Sequence, residues 1–278
     1  MANQPDSNRP DKVEERNHYG IKFSANLSML FTEVNLIDRF QAAKACGFEA
    51  VEIQFPYALS ASTIAQKLTQ LKQKLVMFNV AADDLLQGGE GLACVPEKKR
   101  AFNVALAQAV NYAEILKPYA VNVLPGRCLN KNRGADYFAT LQENLHQAAD
   151  AFASLGVKTV VEAINTYDMP GFLIHSGEQL LTMLTEVNHP NLMMQVDVYH
   201  FARMGEDAAA FIRQHAKKIG HIQIADCPGR AQPGTGVIDF DELFKAIAQS
   251  SYSGWCGAEY KPSKLTQDSF TWLMKLGG

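Results

Sequence analysis

No apolar run in this chain approaches the ~18 residues that a membrane-spanning helix needs, which excludes an integral helical membrane protein. There is also no C-x-x-C pair. The five cysteines, Cys46, Cys94, Cys128, Cys227 and Cys256, are odd in number and widely spaced. A disulfide framework and a structural zinc site are therefore not expected, and a reducing cytoplasm suits the chain best. Positive charge is not in excess either. A formal net charge of −3 argues against a nucleic-acid binder that relies on a broad basic surface. Residues 1–20, MANQPDSNRPDKVEERNHYG, lack the apolar core of a signal peptide and read as a flexible N-terminal extension.

What remains is the composition of an ordinary globular enzyme, with 47% hydrophobic and 20% charged residues. The length of 278 residues is near the ~250 of a single β/α barrel. Between residues 157 and 262 lie four short apolar runs: VKTVVEAIN (157–165), NLMMQVDVYH (191–200), IGHIQIAD (219–226) and GWCGAEYKP (254–262). Each suits a buried strand, and the stretches between them are long enough to hold a helix. Four more runs precede them: IKFSANLSM (21–29), EAVEIQF (49–55), LVMFNVA (75–81) and YAVNVLPG (119–126).

Helical spacing is found over about 34–46, 61–73, 97–116, 135–155, 176–187, 202–217, 239–250 and 264–276. Eight strands alternating with eight helices make a (β/α)8 TIM barrel the simplest α/β architecture, a single catalytic domain from 21 to 278. The segment 83–99 breaks the periodicity with three glycines and a proline, and is expected to form part of a lid.

In such a barrel the chemistry sits at the C-terminal strand ends. The last four strands deliver Glu162, Asp197, Gln223 and Glu259 there. Neighbouring strands lie about 4.8 Å apart, so these side chains can meet at one ion. Three carboxylates and an amide oxygen form an all-oxygen donor set, which suits Mg2+ or Mn2+. Glu162 and Glu259 flank the other two. They are placed to take a proton from a carbon beside a carbonyl and return it to the neighbouring carbon, while the ion polarises the carbonyl oxygen.

The site is net negative, so an anionic substrate needs a separate cation. Arg230, in the glycine-rich loop 227–236, and Lys261, two residues past Glu259, are the leading candidates, with Arg127 behind them. His200 is placed to hydrogen-bond a substrate hydroxyl or oxyanion. His221 lies one layer deeper and is expected to make a structural hydrogen bond. Asn165, just past Glu162, is a minor candidate for orienting that glutamate or touching substrate.

The segments FSANLSMLFTE, GFEAVEIQFPY, VEAIN, QVDVYH, GHIQIADCPGR…PGTGVI and GWCGAEYKP closely resemble the hydroxypyruvate isomerase family of xylose-isomerase-like barrels. The resemblance covers essentially everything from residue 21 onward. It implies reversible isomerisation of hydroxypyruvate and 2-hydroxy-3-oxopropanoate through an enediolate. Glu162 and Glu259 match the proton donor and acceptor of that family. With Asp197 and Gln223, they also match the metal positions of its close relatives.

Gln223 stands where related sugar epimerases have a histidine, which favours the isomerase branch. Departures at Val80, Ala81, Glu97 and Lys98 keep a four-carbon 2-oxo acid open as substrate, as in 2-oxo-tetronate isomerase, alongside a sugar epimerase or inosose dehydratase on the same barrel. A nuclease of the abasic-site kind resembles a site with several histidines at strand ends, and here only His200 and His221 lie near them. The partner expected is thus a small 2-oxo or hydroxy acid, with neither nucleic acid nor membrane. A homo-oligomer is compatible with the sequence.

Overall fold

The computed structural model describes residues 19–275, so all but the last two residues of the expected N-terminal extension lie outside it. Eight parallel strands form the sheet: β1 (Lys22–Asn26), β2 (Ala50–Glu52), β3 (Lys74–Leu75 continued by Met77–Asn79), β4 (Ala120–Val123), β5 (Lys158–Glu162), β6 (Leu192–Asp197), β7 (Ile219–Ile224) and β8 (Trp255–Ala258). β1 pairs with both β2 and β8, and pairing runs on without a break from β8 back to β4.

The two halves of β3 meet at Val76, whose N–H donates to Val51 and whose carbonyl accepts from Ala120. That residue closes the ring. The TIM barrel read from the sequence is therefore the fold, and no helix of the described residues is long and apolar enough to cross a membrane.

Helices follow the strands: α1 (Leu36–Ala45), α2 (Ala61–Leu71), α3 (Lys99–Leu116), α4 (Gly134–Ala153), α5 (Gly177–Val187), α6 (Val198–Arg203), α7 (Ala208–His215), α8 (Phe240–Gln249) and α9 (Thr271–Lys275). Their apolar stripes pack on the outer face of the strands. Examples are Leu141, Leu145, Ala148 and Phe152 of α4, all fully buried at helical spacing.

Three boundaries depart from the sequence reading, each for a local reason. The sixth strand does not reach His200, because the Asp197 carboxylate accepts the Tyr199 N–H at 2.8 Å and starts α6 at once. The helix expected over 202–217 is two helices, separated at Gly205 (φ +77°) and restarted by the Asp207 cap on Ala210 N. Residues 264–276 hold a short 3-10 turn, Thr266–Ser269, before α9.

Inside the barrel, residues two apart share the inward face. Ala50, Met77, Ala120, Val160 and Met193 are followed two positions later by Glu52, Asn79, Asn122, Glu162 and Gln195. The first group belongs to an apolar cluster with Val76, and the second is polar and at least nine-tenths buried. The barrel thus changes from apolar to hydrogen-bonding chemistry as the strands approach their C-terminal ends.

The segment 83–99, expected as part of a lid, is tied down by hydrogen bonds. Asp84 accepts Gly91 N at 3.0 Å, Asn144 of α4 donates to Ala93 O at 2.8 Å, and Arg127 N donates to Glu90 O at 2.9 Å.

Candidate active site

Glu162, the last residue of β5, and Asp197, the last of β6, are 5% and 1% exposed. Glu259, 4% exposed, follows β8 directly, and its N–H is held by Ile224 O at 3.1 Å. Arg230 enters between them. Its Nη2 donates to Asp197 Oδ2 at 3.2 Å and to Glu259 Oε2 at 2.7 Å, so one nitrogen bridges two carboxylates. The Tyr199 ring lies 5.2 Å beneath the same guanidinium.

The loop that delivers Arg230 is knotted by Asp226, whose carboxylate accepts the backbone N–H groups of Cys227, Gly234, Thr235, Gly236 and Ile238 at 2.7–3.2 Å. The second Glu259 oxygen accepts from Asn26 Nδ2 at 2.8 Å and Gln54 Nε2 at 2.9 Å. Glu162 accepts from Asn122 Nδ2 at 3.0 Å.

Burial and mutual repulsion govern the charges. Burial, followed by the negative charges of Asp197 and Glu259, pushes the Glu162 carboxyl well above the usual range. Burial pushes Glu259 up to about 7 in spite of Arg230, and Asp197 up to about 6. These groups titrate as one interacting set, and at neutral pH the cluster is poised to hold or release a proton.

His200 lies in the first turn of α6, with Nε2 3.5 Å from Asp197 Oδ2 and 4.0 Å from Glu162 Oε1. Burial, then Arg230, drives its pKa well below the ordinary value, so it is neutral. Its tautomer follows from Asn165. The Asn165 oxygen accepts from Tyr167 N and Asp168 N, which turns Nδ2 toward His200 Nδ1 at 2.7 Å. An acceptor is needed at Nδ1, so the proton sits on Nε2 and points into the cluster. Asn165 therefore orients the histidine, where the sequence had suggested the glutamate.

Ligand atoms of Glu162, Asp197 and His200 lie within 4.8 Å of one another, close enough to hold a cation. In this tautomer, however, His200 offers a donor where a metal needs a lone pair. The Gln223 amide oxygen accepts from Gln195 Nε2 at 2.7 Å. Glu259 adjoins Asp197 through Arg230.

The structure does not bring Lys261 into the cluster. β8 ends at Ala258, so strand alternation no longer directs the side chain inward. It is exposed, and its backbone N–H donates to Arg230 O at 2.8 Å. Arg127 lies by the 83–99 segment, bonded to Gly88 O.

Two further residues, Asn26 at the end of the first strand and Glu52, which the sequence reading does not single out, complete the floor. Glu52 and Asn26 are fully buried and share a 2.9 Å hydrogen bond. The signal for Glu52 is an acid between Val51 and Ile53, in a strand that leaves it no route to water. His221 donates from Nε2 to Glu52 at 2.7 Å, the buried structural bond expected of it.

A family profile described as xylose isomerase-like TIM barrel matches residues 40–276. The chain belongs to that family. It is 39% identical to the hydroxypyruvate isomerase of Escherichia coli K12 over 91% of this chain and 98% of that protein. It is 36% identical to a 2-oxo-tetronate isomerase of Pectobacterium atrosepticum over 90% of this chain and 96% of that protein. Among solved structures, one from Brucella melitensis titled as an AP endonuclease of family 2 superposes with a TM-score of 0.88 and 32% identity. It covers 93% of this chain and all of that one.

Proposed function

We propose that this chain is a hydroxypyruvate isomerase, an intramolecular oxidoreductase that interconverts hydroxypyruvate and 2-hydroxy-3-oxopropanoate. One observation carries the reading: two buried glutamates of raised proton affinity, Glu162 and Glu259, flank a carboxylate bridged by arginine at the mouth of the barrel.

One glutamate takes a proton from C3 of hydroxypyruvate. The C3–H electron pair forms the C2–C3 double bond, and the C2 carbonyl becomes an enediolate oxygen. A proton is then returned to C2, the hydroxyl proton passes from the C3 oxygen to the C2 oxygen, and C3 becomes the aldehyde. The His200 Nε2–H is directed to donate to the developing oxyanion. Arg230 Nε is buried with no protein partner, which leaves one N–H for the substrate carboxylate.

Glu162, Asp197, Gln223 and Glu259 would hold a divalent ion. Their oxygen donors fit Mg2+ or Mn2+, and an ion held there would share Asp197 and Glu259 with the Arg230 guanidinium. When bound, the ion would polarise the carbonyl and stabilise the enediolate. Five free cysteines suit a reducing cytoplasm.

The 2-oxo-tetronate isomerase reading differs only in substrate length, and the two are separated in one experiment. Proton NMR in D2O with hydroxypyruvate should show solvent deuterium on the hydroxyl-bearing carbon of the product. No exchange there, with exchange and turnover on a four-carbon 2-oxo acid, would transfer the assignment.

A further inference from the structure

We infer that Glu52 is a positioning residue which fixes the Gln223 carboxamide with its NH2 group on the carboxylate and its oxygen turned away from it, as the end that can serve a cation. The inference rests on Gln223 being a ligand, as proposed above. A carboxamide has two ends of nearly the same shape and opposite use, since the oxygen can bind a cation and the NH2 group repels one. What surrounds Gln223 therefore decides whether it is a ligand at all.

Among the described residues, two side chains hydrogen-bond to it. Gln195 Nε2 donates to Gln223 Oε1 at 2.7 Å, and Gln223 Nε2 donates to Glu52 Oε1 at 2.7 Å. Gln195 cannot set the orientation. It is itself a carboxamide, and its own Oε1 is buried with no partner, so both amides could turn over together and exchange donor for acceptor. Glu52 breaks this symmetry. Its oxygens are already met by Asn26 Nδ2, whose orientation the Ser28 N–H fixes, by Ser24 Oγ and by His221 Nε2. A carboxylate surrounded by donors accepts, so the NH2 of Gln223 faces it.

Asn26 provides the contrast. Its oxygen accepts Ser28 N at 3.0 Å, so its orientation is set by backbone and does not depend on Glu52. Gln223 has no bond of that kind among the described residues.

The barrel is built around the glutamate. It accepts from Asn26, His221 and Gln223 and, at 3.3 Å, from Ser24. It also fills the space over Gly257 of β8, where a Cβ would lie 2.3 Å from Glu52 Oε2. Glycine at 257 is what admits the carboxylate at this depth.

The test is a double-mutant cycle read by Mn2+ titration, using electron paramagnetic resonance on otherwise metal-free protein, with turnover of hydroxypyruvate measured beside it. Glu52→Gln should weaken Mn2+ binding at least tenfold and lower kcat at saturating Mn2+ at least tenfold, while KM moves less than threefold. In a Gln223→Met background, which has no amide to orient, Glu52→Gln should change Mn2+ affinity less than twofold. Losses that add across the cycle would show that Glu52 does not act through Gln223 and would overturn the inference. So would a parent protein that binds no Mn2+.

Should the Glu52 variant fail to fold, a neutron structure of the unaltered protein decides. Deuterons of Gln223 on the Glu52 side support the assignment, and deuterons on the Gln195 side overturn it. A parent that binds Mn2+ and passes the cycle but does not isomerise hydroxypyruvate would sink the functional reading and leave this one standing.

Discussion

Glu259→Gln is expected to abolish turnover and at the same time stabilise the metal-free protein at pH 8. The carboxyl is buried, and its pKa rises from the ordinary 4.5 to about 7. Between those values the folded chain keeps a proton that the unfolded chain has released, so stability falls as pH rises through that window. At ~1.36 kcal/mol per pH unit, a shift of about 2.5 units amounts to roughly 3 kcal/mol withdrawn from the fold above pH 7.

Glutamine keeps the shape and never ionises, so the variant avoids that loss. It also leaves Arg230 with Asp197 as its nearer carboxylate partner, which offsets part of the gain. A net gain of about 1–2 kcal/mol is expected, or about 3–6 °C in Tm for a chain of this size. Thermal melts in chelator should separate the two proteins at pH 8 and bring them together at pH 5, where the parent carboxyl is already protonated. A variant less stable than its parent at pH 8 would mean that the charge of Glu259 is favourable where it stands, and the glutamate would then not be a poised base.

Glu162→Gln should lose turnover more than a thousandfold and keep its circular dichroism spectrum, since Asn122 still finds an oxygen acceptor; near-normal activity would remove Glu162 from the proton relay. Asn165→Leu should free the His200 tautomer and lower kcat about tenfold with little change in KM, and an unaltered kcat would show that the Nε2–H does not serve the oxyanion. Asp226→Ala removes the carboxylate that gathers five backbone N–H groups around the Arg230 loop. KM for hydroxypyruvate should rise at least tenfold, and steady-state kinetics with an unchanged KM would show that the loop holds its shape without it.

The barrel and the placement of four site residues were legible because both follow from short-range patterns. A strand buried on both faces is a near-continuous apolar run, and an acid at the end of such a run has few reasons to be there other than chemistry. Glu162, Asp197 and Glu259 satisfy that rule, and Gln223 extends it to an amide. Glu52 satisfies a neighbouring one, since Val51 and Ile53 enclose it, but its role depends on the partners His221 and Gln223, which lie about 170 residues away.

Pairing across the barrel depends on register, and no single strand announces it. The same limit explains Arg230. Its charge and its loop could be read, but its position between Asp197 and Glu259 depends on the Asp226 knot, which draws on backbone up to twelve residues further along. Lys261 failed for the opposite reason: the alternation that places strand residues was carried past Ala258, where the ladder had already ended.

Residues at the strand ends could thus be read from their own position, whereas the hydrogen bonds that orient them could not. Glu52 acts on the Gln223 amide, Asn165 on the His200 tautomer and Asp226 on the Arg230 loop, each through hydrogen bonds whose direction is forced by a carboxylate or by backbone N–H groups. A chain that kept Glu162, Asp197, Gln223 and Glu259 but lost those three would present the same donors at the strand ends. Their amide, tautomer and loop would be free to point the wrong way, so conservative substitutions at 52, 165 and 226 should lower kcat or raise KM while Glu162, Asp197, Gln223 and Glu259 are all retained.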